Sequence, residues 1–404
     1  MNSLKSFVSL CRNNAGICLM GLVSLFISFS STIFFAVSAF YMNTVLHISV
    51  GNMALIEQAT DATAQLGRLV SGMVCDMMKK YKPMLVLGTV LVSLARITFL
   101  FATTPFGVVV SKIFDRIGNG VATTPRDGYV AVNAPKKSMG FFMSFSMTLK
   151  LLGCVLGPFL ASFMLWCGAE LITVLYVAAL PSIFAVFIAT FWVKDSKPTK
   201  EFQERKFELR KIGSLPLRFW AILCVMAVFT FAKMPESTLV MRLNAIGMPM
   251  WFCTSVIAVF NTISVLSSIP IGRLSDRVAR EFVMLIPFCA LVLSLYFLST
   301  DSKLACVMAV FLWGIQRSAS QLLAVSVVAD CAKKEIVGTA IGMLNVVSSV
   351  VTILGGMFYQ HIIDTSSLPF GFFCGSMMSL FGTFLMGLYC FFIATNRRKI
   401  LQEQ

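Results

Sequence analysis

The stretch Gly72-Met-Val-Cys-Asp76 recurs as Gly272-Arg-Leu-Ser-Asp276, 200 positions later in a chain of 404 residues. Each copy closes a long apolar run and opens a basic one. A second pair repeats at nearly the same offset: Ala134-Pro-Lys-Lys-Ser-Met-Gly140 is echoed by Cys331-Ala-Lys-Lys-Glu-Ile-Val-Gly338. Two copies of one unit account for both pairs.

The chain is 57% hydrophobic and 13% charged, with a mean hydropathy of +0.85. A soluble domain has about 45–50% apolar and about 25% charged residues. A membrane is therefore the expected solvent. Crossing its hydrocarbon core takes roughly 17–25 apolar residues, and twelve runs qualify: 15–42, 53–77, 83–103, 105–131, 138–165, 170–193, 218–242, 250–275, 282–300, 304–331, 336–363 and 369–394. The expected architecture is an all-α integral membrane protein with twelve transmembrane helices in two pseudo-symmetric six-helix bundles, 1–193 and 218–404. The polar segment 194–217 between them is the expected cytoplasmic linker and coincides with the repeat boundary.

Positive residues beside a span are retained on the cytoplasmic side. Lys5 and Arg12 precede span one, and the even-numbered joins carry Lys79, Lys80 and Lys82, then Lys136 and Lys137, then Arg273, Arg277 and Arg280, then Lys333 and Lys334. Arg397, Arg398 and Lys399 close the chain, whereas the odd-numbered joins hold Lys303 and little else. Both termini are expected in the cytoplasm. The net charge of +15 thus reports topology and a linker that meets anionic lipid headgroups, and it gives no support for nucleic-acid binding. Ala36-Val-Ser-Ala39 looks like a secretory cleavage site. The run around it is too long, and its loss would leave an odd span count, so it is kept as span one.

Most of the Cys residues lie inside spans without metal-ligand spacing, and His47 and His361 have no obvious companions. They read as packing residues, with no metal or cofactor and no catalytic cluster expected. No G-x-x-x-x-G-K-[ST] sequence is present, so direct use of ATP is not expected. The chain does not read as an enzyme.

Spans two and eight are expected to run inward, which places Asp76 and Asp276 at helix C-termini. A carboxylate there opposes its own helix dipole by roughly 0.3–1 kcal/mol. Compensation has to come from nearby cations such as Arg277, Arg280, Lys79 and Lys80, or from the N-terminus of a helix in the other half, which would make the carboxylate a latch. This pattern resembles the G-x-x-x-D-R-x-G-R-R loop motif of the major facilitator superfamily, with Gly272 to Arg280 the better copy and Gly72, Asp76 the degenerate one. The resemblance implies that these residues help close the two halves on the cytoplasmic side.

Span four reads Asp115-Arg-Ile-Gly-Asn-Gly-Val-Ala-Thr-Thr-Pro-Arg126-Asp127, similar to a D-R-x-G-K-G-x-R-T-x-P-R-D run in a bacterial branch of the superfamily. Arg116 lies deep in its span, where a charge costs about 2.5–3.5 kcal/mol or more, so it should face a cavity or a partner. Lys112 and Asp115 are near enough to share that environment. The resemblance implies a link between Arg116 and proton coupling; a plain structural ion pair is the alternative. In span five, Gly153-Cys-Val-Leu-Gly157-Pro158 is similar to the superfamily's antiporter motif, and small residues four apart also serve helix packing.

Glu57 and Asp61 stand one turn apart in span two, where one of two close carboxylates would retain a proton near neutrality. Glu57 could equally sit at the outer surface. Span seven offers Lys233-Met-Pro-Glu236, with Pro235 loosening the helix and an internal Lys233–Glu236 pair as one reading. Asn261, Gln316, Arg317, Gln321 and Asn345 add polar groups. Ser28-Phe-Ser-Ser-Thr, Lys150 and Gln321 stand where members of that branch carry acids. Arg68, Arg96, Lys112, Arg116, Lys150, Lys233, Arg242 and Arg317 outnumber Glu57, Asp61, Asp115 and Glu236. That excess favours an anionic or zwitterionic solute, with snorkelling of Arg68, Arg96 and Arg242 to the interfaces as the competing reading.

The reading is a monomeric secondary transporter of a small solute in the bacterial cytoplasmic membrane, working by alternating access and coupled to protons. Proton-antiport efflux of drugs or metabolites is one alternative. A non-transporting receptor or scaffold derived from a transporter is another.

Overall fold

The computed structural model describes residues 15–78, 80–135, 139–194, 215–331 and 337–402. Lys5, Arg12, Lys79, the Lys136–Lys137 and Lys333–Lys334 pairs, and most of the expected linker lie outside the described residues.

Every expected span has its helix. In chain order they are Ala15–Phe40, prolonged by a π-helical turn at Tyr41–Val45; Val50–Met78; Lys82–Leu100; Pro105–Asn133; Met139–Trp166; Leu171–Phe187, prolonged at Ile188–Trp192; Leu217–Ala232 with Glu236–Ala245; Met250–Arg277; Arg280–Val283 with Leu285–Ser299; Lys303–Asp330; Val337–Thr365; and Leu368–Gln402. Among the described residues no strand occurs, and nine of these segments are long and apolar enough to cross a membrane. Spans two, four and ten fall short. They are the spans that carry Glu57 and Asp61, Lys112 to Asp127, and Gln316 with Arg317, so the departure from apolarity marks where polar side chains are concentrated.

Local chemistry sets the ends. Span four starts with Thr104 capping the Gly107 amide at 3.2 Å and Pro105 in the first turn, the position where a missing N–H costs nothing. Spans five and seven stop at Gly168 and Gly247, at φ +86° and +82°. Each is followed by a backbone bond back into the last turn, Ala169 to Met164 and Met248 to Leu243, at 3.0 and 3.1 Å. This closure needs a left-handed residue, which glycine supplies without strain.

Span seven is broken. Pro235 has no N–H and restricts Met234 before it, so the chain runs extended from Lys233 through Pro235 before the helix resumes at Glu236. The freed carbonyls find side-chain donors: Tyr359 Oη donates to Ala232 O at 3.0 Å, and Gln58 Nε2 donates to Lys233 O at 3.2 Å.

The helices form two compact units, Met1–Ile48 with Thr63–Glu204 and Pro249–Ala258, and Ser49–Ala62 with Arg205–Met248 and Val259–Gln404. In the first unit, spans one and five approach closely at Gly153 and Gly157, where an added Cβ would lie 2.5 Å from Leu25 O and 2.7 Å from Phe29 O. Thr32 Oγ1 donates to Gly153 O at 3.2 Å across the same contact. Phe34 and Phe99 meet edge to face with centroids 4.7 Å apart. In the second unit, Phe229 stacks on Phe288 at 4.2 Å, Ser294 Oγ donates to Ala309 O at 2.9 Å, and Ser376 Oγ donates to Val292 O at 3.0 Å. Lipid gives little hydrophobic drive for helix association, so close approach and such hydrogen bonds hold the bundles.

Candidate functional site

The break in span seven organises the polar groups of the second unit. Glu236 opens the helix Glu236–Ala245, where a carboxylate is favoured by the positive helix end. It pairs with Arg317 of span ten. The Arg317 guanidinium also lies over the Phe260 ring at 5.5 Å, and Lys233 Nζ lies 5.8 Å from the centre of the Phe229 ring. Asp61 and Arg317 are the charges that act on Lys233. Glu57 is buried one turn from Asp61, and Asn261 is buried on span eight. The Lys233–Glu236 pair read from sequence is not formed among the described residues: the chain runs extended between the two, so they do not share a helical face. Asn345 is half-buried, and the side chain of Gln321 lies outside those described.

In the first unit the central pair is Arg96 with Asp115, at 2.8 Å. Arg96 is 1% exposed, stacks over Phe34 at 4.0 Å, and donates to Ser31 Oγ at 2.9 Å and to Ser30 Oγ at 3.4 Å. Asn119 Nδ2 donates to Asp115 Oδ1 at 2.9 Å and completes the network. Snorkelling does not carry Arg96 to an interface. It ties spans one, three and four together, and it engages the carboxylate that the sequence placed in the environment of Arg116. Arg116 lies over Phe35 at 5.5 Å, half-buried, while Lys112 is buried on the same helix. Lys150 belongs to another group, within electrostatic reach of Arg126, Arg68 and Asp127. Arg126 pairs with its neighbour Asp127 at 2.7 Å.

At the end of span eight, a cleft of about 620 Å³ is lined by Asp276, Arg277, Arg280, Glu281, Arg218 and Asp330, among others. Arg280 grips Asp330 through both carboxylate oxygens, at 3.0 and 2.9 Å. Asp276 is exposed at the rim with Arg277. The side chain of Asp76 is outside those described, and an added Cβ at Gly272 would meet nothing within 4 Å. Arg242, near the far end of span seven, is buried and holds Leu298 O, Thr300 O and Asp301 at 2.9, 2.8 and 2.6 Å.

Sequence reading missed three contributors. The Arg96 anchor needed Ser30, Ser31 and Asp115 to be brought together from distant positions. Gln58 and Tyr359 act on backbone carbonyls, which leave no residue-type signature. Pro235 was the one signal that carbonyls would be freed there. Among the described residues no group of His, Cys, Asp and Glu could hold a metal ion.

Comparison with known proteins agrees with the helical architecture. The Major Facilitator Superfamily profile matches residues 19–356 and again 234–400. An uncharacterised MFS-type transporter of Methanocaldococcus jannaschii is 23% identical over 326 residues, covering 78% of this chain and 80% of the relative. Among solved structures, the nucleoside transporter NupG superposes with a TM-score of 0.78 at 14% identity, over 93% of this chain and 98% of that one. A POT family transporter in complex with 5-aminolevulinic acid gives 0.76 at 12%, over 93% and 96%. A D-xylose–proton symporter gives 0.67 at 14%, over 92% and 96%.

Proposed function

Since the chain belongs to the major facilitator superfamily and is a membrane transporter of that type, we propose that it moves a small anionic or zwitterionic solute together with protons. The observation that carries this reading is the Glu236–Arg317 pair beside Lys233 and Asp61 at the break of span seven. Two cations and two carboxylates are gathered there on three spans.

An arriving carboxylate or phosphate competes with Glu236 for the Arg317 fork, and with Asp61 for Lys233. Planar guanidinium favours such bidentate partners. Each displaced side-chain carboxylate is then left without its cation in a half-dry site, which favours its protonated form. The proton comes from the aqueous side, the O–H bond forms on the displaced carboxylate, and anion and proton cross together. On the far side the carboxylate gives up its proton and retakes its cation as the anion leaves. Arg96, Asp115 and Asn119 act differently: they fix span four and thereby the position of Arg116.

Alternating access then requires the outer end of span two to leave the break and return. The carrier operates as a monomer in the cytoplasmic membrane with both termini inside. Proteoliposomes with an acid-outside gradient, offered a panel of mono- and dicarboxylates, amino acids, phosphate esters and organic cations, test the reading. Gradient-driven accumulation of an anion or zwitterion is expected. Accumulation of cations alone, seen only when the gradient is reversed to acid inside and protons leave as the cation enters, would instead establish the efflux reading.

A further inference from the structure

Gln58 occupies a place that charge counting passes over. It is 4% exposed, on the outer half of span two, and its Nε2 donates to Lys233 O, one of the carbonyls the break in span seven sets free. Its Oε1 is buried and accepts no hydrogen bond among the described residues. Span eleven makes room for it with two adjacent glycines. An added Cβ would lie 3.2 Å from Gln58 Oε1 at Gly355, and 3.1 Å from Gln58 Cβ at Gly356. Two turns toward the start of span two, Gln360 Nε2 donates to Asn52 Oδ1 at 2.6 Å. One turn the other way is Asp61, which acts on the Lys233 side chain.

One helix therefore holds residue 233 twice, by its backbone through Gln58 and by its charge through Asp61. We propose that Gln58 is the positioning residue that makes closure of the outer end of span two depend on the protonation of Asp61. The inference rests on the carrier reading above, and it specifies where proton uptake is converted into movement. With Gln58 in place, Lys233 is held where an ionised Asp61 attracts it, and the attraction keeps span two seated. When Asp61 takes a proton, the attraction goes and the hydrogen bond alone remains, so the outer end is released. The other charges gathered here are Glu57 on span two itself, Glu236 beyond the break and Arg317 on span ten. The last two are paired with each other, and Asp61 is the carboxylate whose charge acts on Lys233.

The test needs no substrate and so can fail independently of the transport reading. Ketone-bearing side chains at Asn52 and His361, both exposed, carry nitroxide labels in the full chain in nanodiscs. This leaves the native Cys residues unlabelled and removes the His361 imidazole from the rim. Electron–electron distance measurements at pH 8 and pH 5.5 read the ratio of closed to open populations. The ratio is expected to fall about tenfold on acidification, a loss of one pairwise attraction. In Asp61→Asn it should sit at its acid value at both pH values. In Gln58→Leu the pH dependence should shrink to less than about twofold. A residue that merely packs would lower stability and leave the pH dependence intact. If Gln58→Leu yields no monodisperse protein, Gln58→Met keeps an unbranched side chain of similar size, removes the donor to Lys233 O and should flatten the response in the same way. A full tenfold response in Gln58→Leu or in Gln58→Met overturns the proposal, and so does an Asp61→Asn protein that still responds to pH.

Discussion

Arg96 and Asp115 meet at 2.8 Å with side chains only 1% and 7% exposed. Removing one partner of such a pair strands a buried charge, at about 3–5 kcal/mol, whereas replacing both by apolar residues is often neutral. Arg96→Leu should therefore lower the thermal midpoint of the detergent-solubilised protein sharply. Arg96→Leu with Asp115→Leu should recover most of the loss. An additive double variant would show that the two side chains stabilise the fold separately.

Arg280 and Asp330 form a pair of similar length, one guanidinium nitrogen donating to both carboxylate oxygens, but they are 39% and 50% exposed. Water and salt screen such contacts, which are worth about 0–1 kcal/mol. Arg280→Gln should leave the thermal midpoint nearly unchanged. If it unfolds the protein as Arg96→Leu does, burial is not what separates the two pairs.

Gly157 faces Thr32 and Phe29 O, with no space for a Cβ, while Gly272 faces open space. Gly157→Val should abolish monodisperse elution on size exclusion, because rigid backbone would have to move. Gly272→Ala should elute as the parent does. Equal tolerance at both positions would contradict the close packing of spans one and five.

Asp61→Asn tests proton coupling directly. Uphill accumulation of the solute driven by a pH gradient should be lost, while exchange of labelled for unlabelled solute continues at a comparable rate. Loss of both activities in a correctly folded variant would place Asp61 in solute binding alone.

The spans were legible because length and apolarity are local properties. The Gly153–Gly157 spacing also translated directly into contact. Ion-pair partners were less readable. Spacing along one helix suggested Lys233 with Glu236 and put Asp115 in the environment of Arg116 and Lys112, yet each carboxylate is claimed by an arginine from another span. A helical face can be drawn from sequence, but the neighbour facing it depends on how the helices are arranged around it. In span seven the backbone left the helix altogether, so the drawn face did not exist. Arg96 was misjudged for a related reason: its depth was visible, but the serines and the carboxylate that satisfy it come from spans one and four.

Spans two and eight are each divided between the compact units, span two at Ala62–Thr63 and span eight at Ala258–Val259. A probe at residue 54 therefore reports on the second unit and one at residue 70 on the first, although one helix carries both, so a label assigned to a unit by sequence half alone would be credited to the wrong body.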